Sequence, residues 1–544
     1  MNMFIAASLL ALVTPGHEPG HSQAPQLGKL SFETTCNADA AALLQRGLGW
    51  LHSFEYADAA TTFSEAAAAD PACGIAHWGV AMSYYHPLWA PPAAADLQAG
   101  SAAVAKARAV GARSDREKAY IDAIDTFYRD SDQRDHKTRA LAYSAAMEQL
   151  NRQYPDDHEA AVFYALSLIA AGMMDEDSEF SKEKEAGAIL NRVLELEPNH
   201  PGVAHYLIHS FDYPPLAELA QSAARRYASI APASAHAQHM PSHIFVRLGL
   251  WDEAIKSNLD AEAAARAYAK SHGLADSWDE RLHAMDYLAY AYLQTGQDRE
   301  AQLVLDDLNA IKRVDPPNFK VAYTATAIPA RWVLERRQWR EAASLTVQDN
   351  VRSLAPLETF TWAEAHIHFA RAVGAARGGA SVAAAGEVAK LREIEKAIVV
   401  PPGTYDWRTQ VSIERQVAEA WLARSQGRND EALSLMRAAA DLDDSTEKHP
   451  VTPGSVLPAR EQLGDLLLEL GRPAEALLEY EASLKRAPRR LAGLYGAARS
   501  ARLAGDSTKA SRYYADLNDL TQGGDGARAE AVEARTFATE SATR

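Results

Sequence analysis

His205 and His209, and again His239 and His243, stand four residues apart. On an α-helix that spacing points two side chains the same way, with Cβ atoms about 5 to 6 Å apart, so each pair can ligate one metal ion. His236 and His283 lie close by, and eight of the 18 histidines fall between His200 and His283, where even scatter would place about three. Imidazole without thiolate suits a transition metal such as Cu, Zn or Fe, and six such ligands can hold two ions as readily as one. Asp286 is the carboxylate in this pattern, expected to ligate, to fix a histidine tautomer or to act as a base. Arg247 and Tyr290 are the expected substrate contacts, and Arg247 has a second reading as the ion-pair partner of Asp212.

Side chains on separate segments converge only if those segments are held side by side. Gly471 and Gly505, Ala476 and Ala510, and Tyr480 and Tyr514 each recur after 34 residues, the period of a helix-turn-helix solenoid unit. The stretch Leu463 to Pro488 resembles a tetratricopeptide repeat, with Leu463 and Gly464 at positions 7 and 8 of the unit, Leu467 at 11, Gly471 at 15, Ala476 at 20, Tyr480 at 24 and Pro488 at 32. Gly47, Trp50, Ala59, Phe63, Ala66 and Pro71 fit the same frame, and copies are expected near residues 40, 74, 115, 159, 201, 235, 282, 323, 364, 413, 457 and 491. Small residues at positions 8 and 20 let the two helices of a unit approach, larger ones fill the seam, and each unit buries its remaining face against its neighbours. The expected fold is all-α, a single solenoid over residues 30–524 of about 11 or 12 helical hairpins, followed by a frayed polar tail over 525–544. The resemblance implies a right-handed superhelix whose non-packing helix face lines a concave groove.

Positions 2, 5, 9 and 13 of the first helix share one arc opposite the packing positions. Units starting at 201 and 235 put His205 and His239 at position 5, His209 and His243 at position 9, and His236 at position 2. The unit near 282 puts His283 at 2, Asp286 at 5 and Tyr290 at 9, while His52 and Arg247 fall at position 13 of theirs. Three readings stay open: a groove holding one or two metal ions, a metal-free groove for an extended peptide or small molecule, and a wall without a ligand. His136, His158, His200 and His272 read as surface or satisfied core residues, and no face can be assigned to His77, His366 or His368. Glu461, Asp465 and Arg499 continue the wall as a charged set read as ion pairs. Pro-flanked loops carrying His86 and His449 are candidates to dip into the groove.

Composition narrows the function. A net charge of −17, from 72 acidic and 55 basic residues, repels phosphate backbones, so nucleic acid is not an expected partner. A partner protein remains compatible. The chain has no local signature for nucleotide binding, a serine nucleophile elbow or the His-Glu-x-x-His zinc protease, so chemistry, if there is any, depends on the histidines. No stretch of about 18 apolar residues crosses a membrane. Residues 1–24, with an apolar run from Phe4 to Val13, read as a secretory signal, placing the protein in the periplasm or outside the cell. Cys36 and Cys73, the only cysteines, flank the first hairpin and are either bridged or two buried thiols.

Overall fold

The computed structural model describes residues 25–542 apart from 89, 90, 176 and 275. The segment read as a signal lies outside the described residues. Among the described residues twelve helical hairpins follow one another, from Ala38–His52 with Tyr56–Ala69 to Leu491–Ala504 with Ser507–Leu520, and a single helix, Ala529–Ala542, follows them. Among the described residues the only strands are Ser277–Trp278 and Val314–Asp315, a two-residue parallel pair. No helix of the described chain is long and apolar enough to cross a membrane.

Local sequence sets the helix ends. Asn37, Ser114, Asp135, Ser234 and Asp506 each accept a hydrogen bond from a first-turn N–H of the helix they precede, satisfying a donor the helix leaves open. Gly249 and Gly505 close helices at φ of 67° and 83°, a conformation that costs glycine nothing. Packing explains the small residues. A Cβ on Gly464 would lie 2.7 Å from the Tyr480 ring and one on Gly496 2.2 Å from it, so the buried tyrosine fills the space both glycines leave. Cys36 and Cys73 are bonded to each other across the first hairpin.

The stack does not stay open. Lys29 N donates to the Asn199 carbonyl at 2.9 Å, tying the N-terminal segment to the fifth hairpin. Trp251 Nε1 donates to the Arg489 carbonyl at 2.8 Å, Leu491 N to Gln294 Oε1 at 3.2 Å and Asp525 N to the Gly296 carbonyl at 2.9 Å. The last hairpins therefore pack on hairpins six and seven. Residues 445–458, between Asn429–Asp444 and Ala459–Glu469, form a strap through the interior, where His449, Val451, Thr452 and Val456 are buried. Tyr323 donates its hydroxyl hydrogen to the Gly454 carbonyl at 3.1 Å, and Tyr405 donates to that of Glu447 at 2.8 Å. The groove expected from the repeat is thereby an enclosed interior.

The tail is corrected. Of the stretch expected to fray, residues 529–542 form a helix, in which Ala531 and Ala534 are buried and Phe537 stacks on Tyr514 at 4.4 Å. Arg528 anchors this end, donating to Asp298 at 2.7 Å and to the Glu335 carbonyl at 2.8 Å. Its polar composition conceals docking because the docking is carried by a buried ion pair and small residues, which weigh little in hydropathy.

Candidate metal centre

Three neighbouring helical segments carry the six histidines. Pro201–Phe211 bears His205 and His209, Ala235–His239 continued by Pro241–Leu248 bears His236, His239 and His243, and Asp279–Thr295 bears His283. Proline at the first position of Pro201–Phe211 costs no hydrogen bond, since that N–H has no acceptor within the helix. All six imidazoles are buried. They form two trios, His205 with His209 and His236, and His239 with His243 and His283, and within each trio one ring nitrogen per residue lies within 4.8 Å of the others.

The outward ring nitrogens fix the tautomers. His205 Nδ1 faces the His52 carbonyl at 2.6 Å, and a carbonyl only accepts, so Nδ1 carries the hydrogen. His239 Nδ1 donates to Asn258 Oδ1 at 2.6 Å, and Asn258 Nδ2 donates to the Ala254 carbonyl at 2.7 Å, which fixes the amide that way round. His243 Nδ1 donates to Asp212 Oδ2 at 3.1 Å. His236 Nδ1 is 3.8 Å from Glu280 Oε2. Burial, and next the neighbouring imidazoles, push His205, His209, His239 and His283 well below the ordinary 6.5. Burial brings His243 down to about 4 despite the opposing pull of Asp212. These rings are neutral near pH 7, and His205, His239 and His243, with Nδ1 hydrogens directed outward, turn the Nε2 lone pair inward.

The lone pairs of His239 and His243 meet, and the Nε2 atoms of the first trio converge. His239 Nε2 and His243 Nε2 are 3.0 Å apart, and His205 Nε2 lies 3.0 Å from His209 Nε2 and 3.2 Å from His236 Nε2. With both Nδ1 hydrogens of His239 and His243 committed outward, no hydrogen bond joins their Nε2 atoms. Two nitrogens each about 2.0–2.1 Å from one ion stand about 2.9–3.4 Å apart at tetrahedral to octahedral angles. The spacings therefore match the edge of a coordination polyhedron. The trios adjoin, with His209 and His243 ring centroids 6.5 Å apart and His236 and His239 likewise.

Around the trios the supports are explicit. Phe54 packs its ring 4.4 Å from His205 and 5.6 Å from His209. Tyr287 places its hydroxyl 3.3 Å from His243 Nε2. Asp212 also accepts from Arg247 Nε at 2.8 Å and from Lys448 Nζ of the strap at 3.3 Å. His52, Glu159 and His200 form a further buried cluster, yet every nitrogen there is used. His200 Nδ1 accepts from Val203 N–H at 3.3 Å, so its Nε2 donates to Glu159 at 3.0 Å. His52 Nε2 donates to the same carboxylate at 2.9 Å while its Nδ1 accepts from the Tyr206 hydroxyl at 2.9 Å. This cluster holds the His52 carbonyl where His205 needs it.

Residues 457–490 match the family model of the tetratricopeptide repeat. The protein carries a tetratricopeptide repeat. Among solved structures, the human IFIT1 dimer with m7Gppp-AAAA is similar over 90% of this chain and 96% of its own, at 14% identity and a TM-score of 0.37. Yeast Tom70 is similar over 93% and 96%, at 13% identity and a TM-score of 0.30, and the P58(IPK) TPR domain over 93% and 100%, at 14% and 0.19. No curated protein matches the sequence.

In the tetratricopeptide frame the six histidines stand together, while the three companions expected beside them do not. Asp286 pairs with the buried Arg331 of Phe319–Leu334 and so points away from the imidazoles. Tyr290 accepts from Arg490 at 2.7 Å and lies with that second ion-pair set. Arg247 takes its salt-bridge reading, joined to Asp212 and, at 3.3 Å, to Glu447. Glu461 pairs with Arg490 and Asp465 with Arg337. His449 stacks on Trp407, His86 lies against Tyr56, and His366 bonds Glu414, so none joins the centre. Sequence reasoning missed Phe54, Asn258 and Tyr287. Tyr287 follows His283 at the same four-residue step, and Asn258 is a polar residue at a buried second-helix position, so both left a signal; Phe54 left none.

Proposed function

We propose that this tetratricopeptide-type solenoid is an exported protein that encloses a pair of transition-metal ions, three imidazoles to each, and works as a metal-dependent oxidoreductase. The observation that carries the reading is the pair of inward lone pairs of His239 and His243, 3.0 Å apart in a buried and neutral setting. Without a cation between them the arrangement is repulsive; with one it is a ligand pair. Three nitrogen donors leave positions on each ion open to a small ligand, as catalytic sites do. Copper fits first, since affinity for divalent ions peaks there and imidazole suits it, with zinc next.

Redox chemistry is favoured over hydrolysis by what surrounds the trios. A hydrolytic centre uses a carboxylate to take a proton from metal-bound water. Asp212 is held by Arg247, Lys448 and His243, Glu280 by Lys320 at one oxygen with the other turned to the Nδ1 side of His236, and Asp286 by Arg331. Burial of all six histidines also argues against their presenting hydrogen bonds to an extended peptide. The Cys36–Cys73 bond supports an oxidising, exported compartment.

Elemental analysis of purified protein, prepared without chelator and offered copper, zinc and iron in turn, tests this reading. Two ions per chain are expected, falling to one in either His209→Ala or His243→Ala and to none in the double variant, with helical circular dichroism retained. Wild-type protein that keeps no stoichiometric metal overturns it, as does metal that persists in the double variant.

A further inference from the structure

Two neighbouring cavities share lining residues, and one of them reaches the first trio at His209. The outer one, about 460 Å³, lies between His136, Met174, Gly403 and Thr404. The inner one, about 140 Å³, is bounded by Ile169, Tyr213, Arg247 and Lys448, and of the six histidines only His209 lines it. Met173, Tyr405 and Pro450 line both cavities, so the same three side chains separate the vestibule from the chamber.

Size and charge define the occupant. A chamber of about 140 Å³ compares with the roughly 150 Å³ in which an apolar protein cavity holds one benzene ring. Ile169, Met173, Tyr213, Tyr405 and Pro450 give it apolar walls. Two cations face it on the remaining side. Arg247 and Lys448 share Asp212, which is itself spent on His243, and the second anion there is Glu447. Glu447 is the most exposed member: its side chain is 35% exposed and shared between Arg247 at 3.3 Å and the outlying Arg486 at 3.5 Å, so it can turn toward Arg486 and leave a guanidinium face to an incoming carboxylate.

We propose that the chamber is the substrate site and that it takes a small aromatic monocarboxylate. The ligand passes Met173, Tyr405 and Pro450, seats its ring among the apolar walls, exchanges its carboxylate for that of Glu447 on Arg247, and brings its ring edge toward the ion held by His205, His209 and His236. This rests on the metal reading above, since two further cations beside the chamber strengthen the preference for an anion.

Benzoate is the probe and benzamide its uncharged control, titrated calorimetrically into copper-loaded protein of measured metal content, with the copper absorption spectrum recorded at each point. Benzoate is expected to bind and to shift the spectrum, and benzamide to bind at least about tenfold more weakly. Met173→Trp, which fills the passage, is expected to abolish benzoate binding while both ions stay. Glu447→Gln, which removes the competing charge, is expected to tighten benzoate about three- to tenfold. Protein that holds two ions yet ignores benzoate overturns this proposal and leaves the metal reading standing. Equal binding of benzoate and benzamide, or unchanged binding in Met173→Trp, also overturns it. Protein that takes up no metal overturns both.

Discussion

Replacing Asp212 by Asn keeps the shape of the side chain and removes its charge. In the native protein three buried donors converge on that carboxylate: His243 Nδ1 at 3.1 Å, Arg247 Nε at 2.8 Å and Lys448 Nζ at 3.3 Å. An amide offers one accepting oxygen and an NH2 that faces a donor, so at least one partner is left unmatched. Two consequences follow. Outer partners of metal-ligating histidines contribute about 10- to 100-fold in metal affinity, so the ion of the His239 trio is expected to weaken by that factor while the other trio is unaffected. Breaking a buried pair costs about 3–5 kcal/mol, and unfolding entropy of about 2.1 cal/mol/K per residue gives roughly 1.1 kcal/mol/K for the 544-residue chain, so the metal-free variant is expected to melt about 3–4 °C lower. The deficit depends on pH. Burial brings Lys448 down to about 8, against the opposing pull of Asp212, and losing Asp212 lowers it further. Between that lower value and pH 8 the Lys448 of the unfolded variant binds a proton that the folded form does not, so the Lys448 contribution to stability rises with pH in the variant and not in the native protein. The deficit shrinks as pH approaches 8 and is constant above it. Competition with a calibrated chelator reads the affinity, and thermal melts at pH 6, 7, 8 and 9 read the stability. A variant that binds both ions with native affinity, or that melts within about 1 °C of the native protein at pH 6, would refute the role given to Asp212.

Three further outcomes are expected. Gly202→Ala puts a Cβ 2.4 Å from His52 Nδ1, so His52 and the carbonyl that holds His205 must shift; one of two ions should be lost, and elemental analysis showing both retained would remove His52 from the account. The histidines lowered by burial bind protons in the unfolded chain before they do in the folded one, so metal-free protein should lose stability as pH falls from about 6.5 toward 4, and melts that are flat over that window would contradict the assignment of neutral rings. Native protein should show no reactive thiol. Reducing the Cys36–Cys73 bond, with its sequence separation of 37, should destabilise the chain by up to about 4 kcal/mol, read by thiol titration and melts before and after reduction.

Much of the fold was legible because a tetratricopeptide unit writes its packing into each copy: Gly464, Ala476 and Tyr480 are small and large where one helix must meet the next. The histidine trios were legible for a related reason, since helical spacing fixes which side chains share a face. Companion groups were harder to place. Asp286 occupies the same face count as His205 and His239, yet Arg331 on the following hairpin draws it away, and charge pairing between hairpins has no sequence period. Closure was invisible for the same reason: Trp251 meets Arg489 and Arg528 meets Asp298 across more than two hundred residues, and nothing local announces it. Phe54 was missed because an aromatic at the end of a first helix reads as ordinary core.

The joining of the last hairpins to the sixth and seventh bears on when the centre can exist. In an open solenoid each unit is complete once its neighbour is made, so a ribosome or a translocation channel releases finished binding surface progressively. Here the strap that supplies Lys448 and the turn around Arg528 come late in the chain, more than 150 residues after His283. The ligands are thus delivered early and their enclosure is delivered last. On the proposed metal reading, a nascent chain exposes six imidazoles to whatever metal is at hand and only the finished molecule seals its choice, which would make the compartment of final folding, more than ligand chemistry alone, the arbiter of which ion is kept.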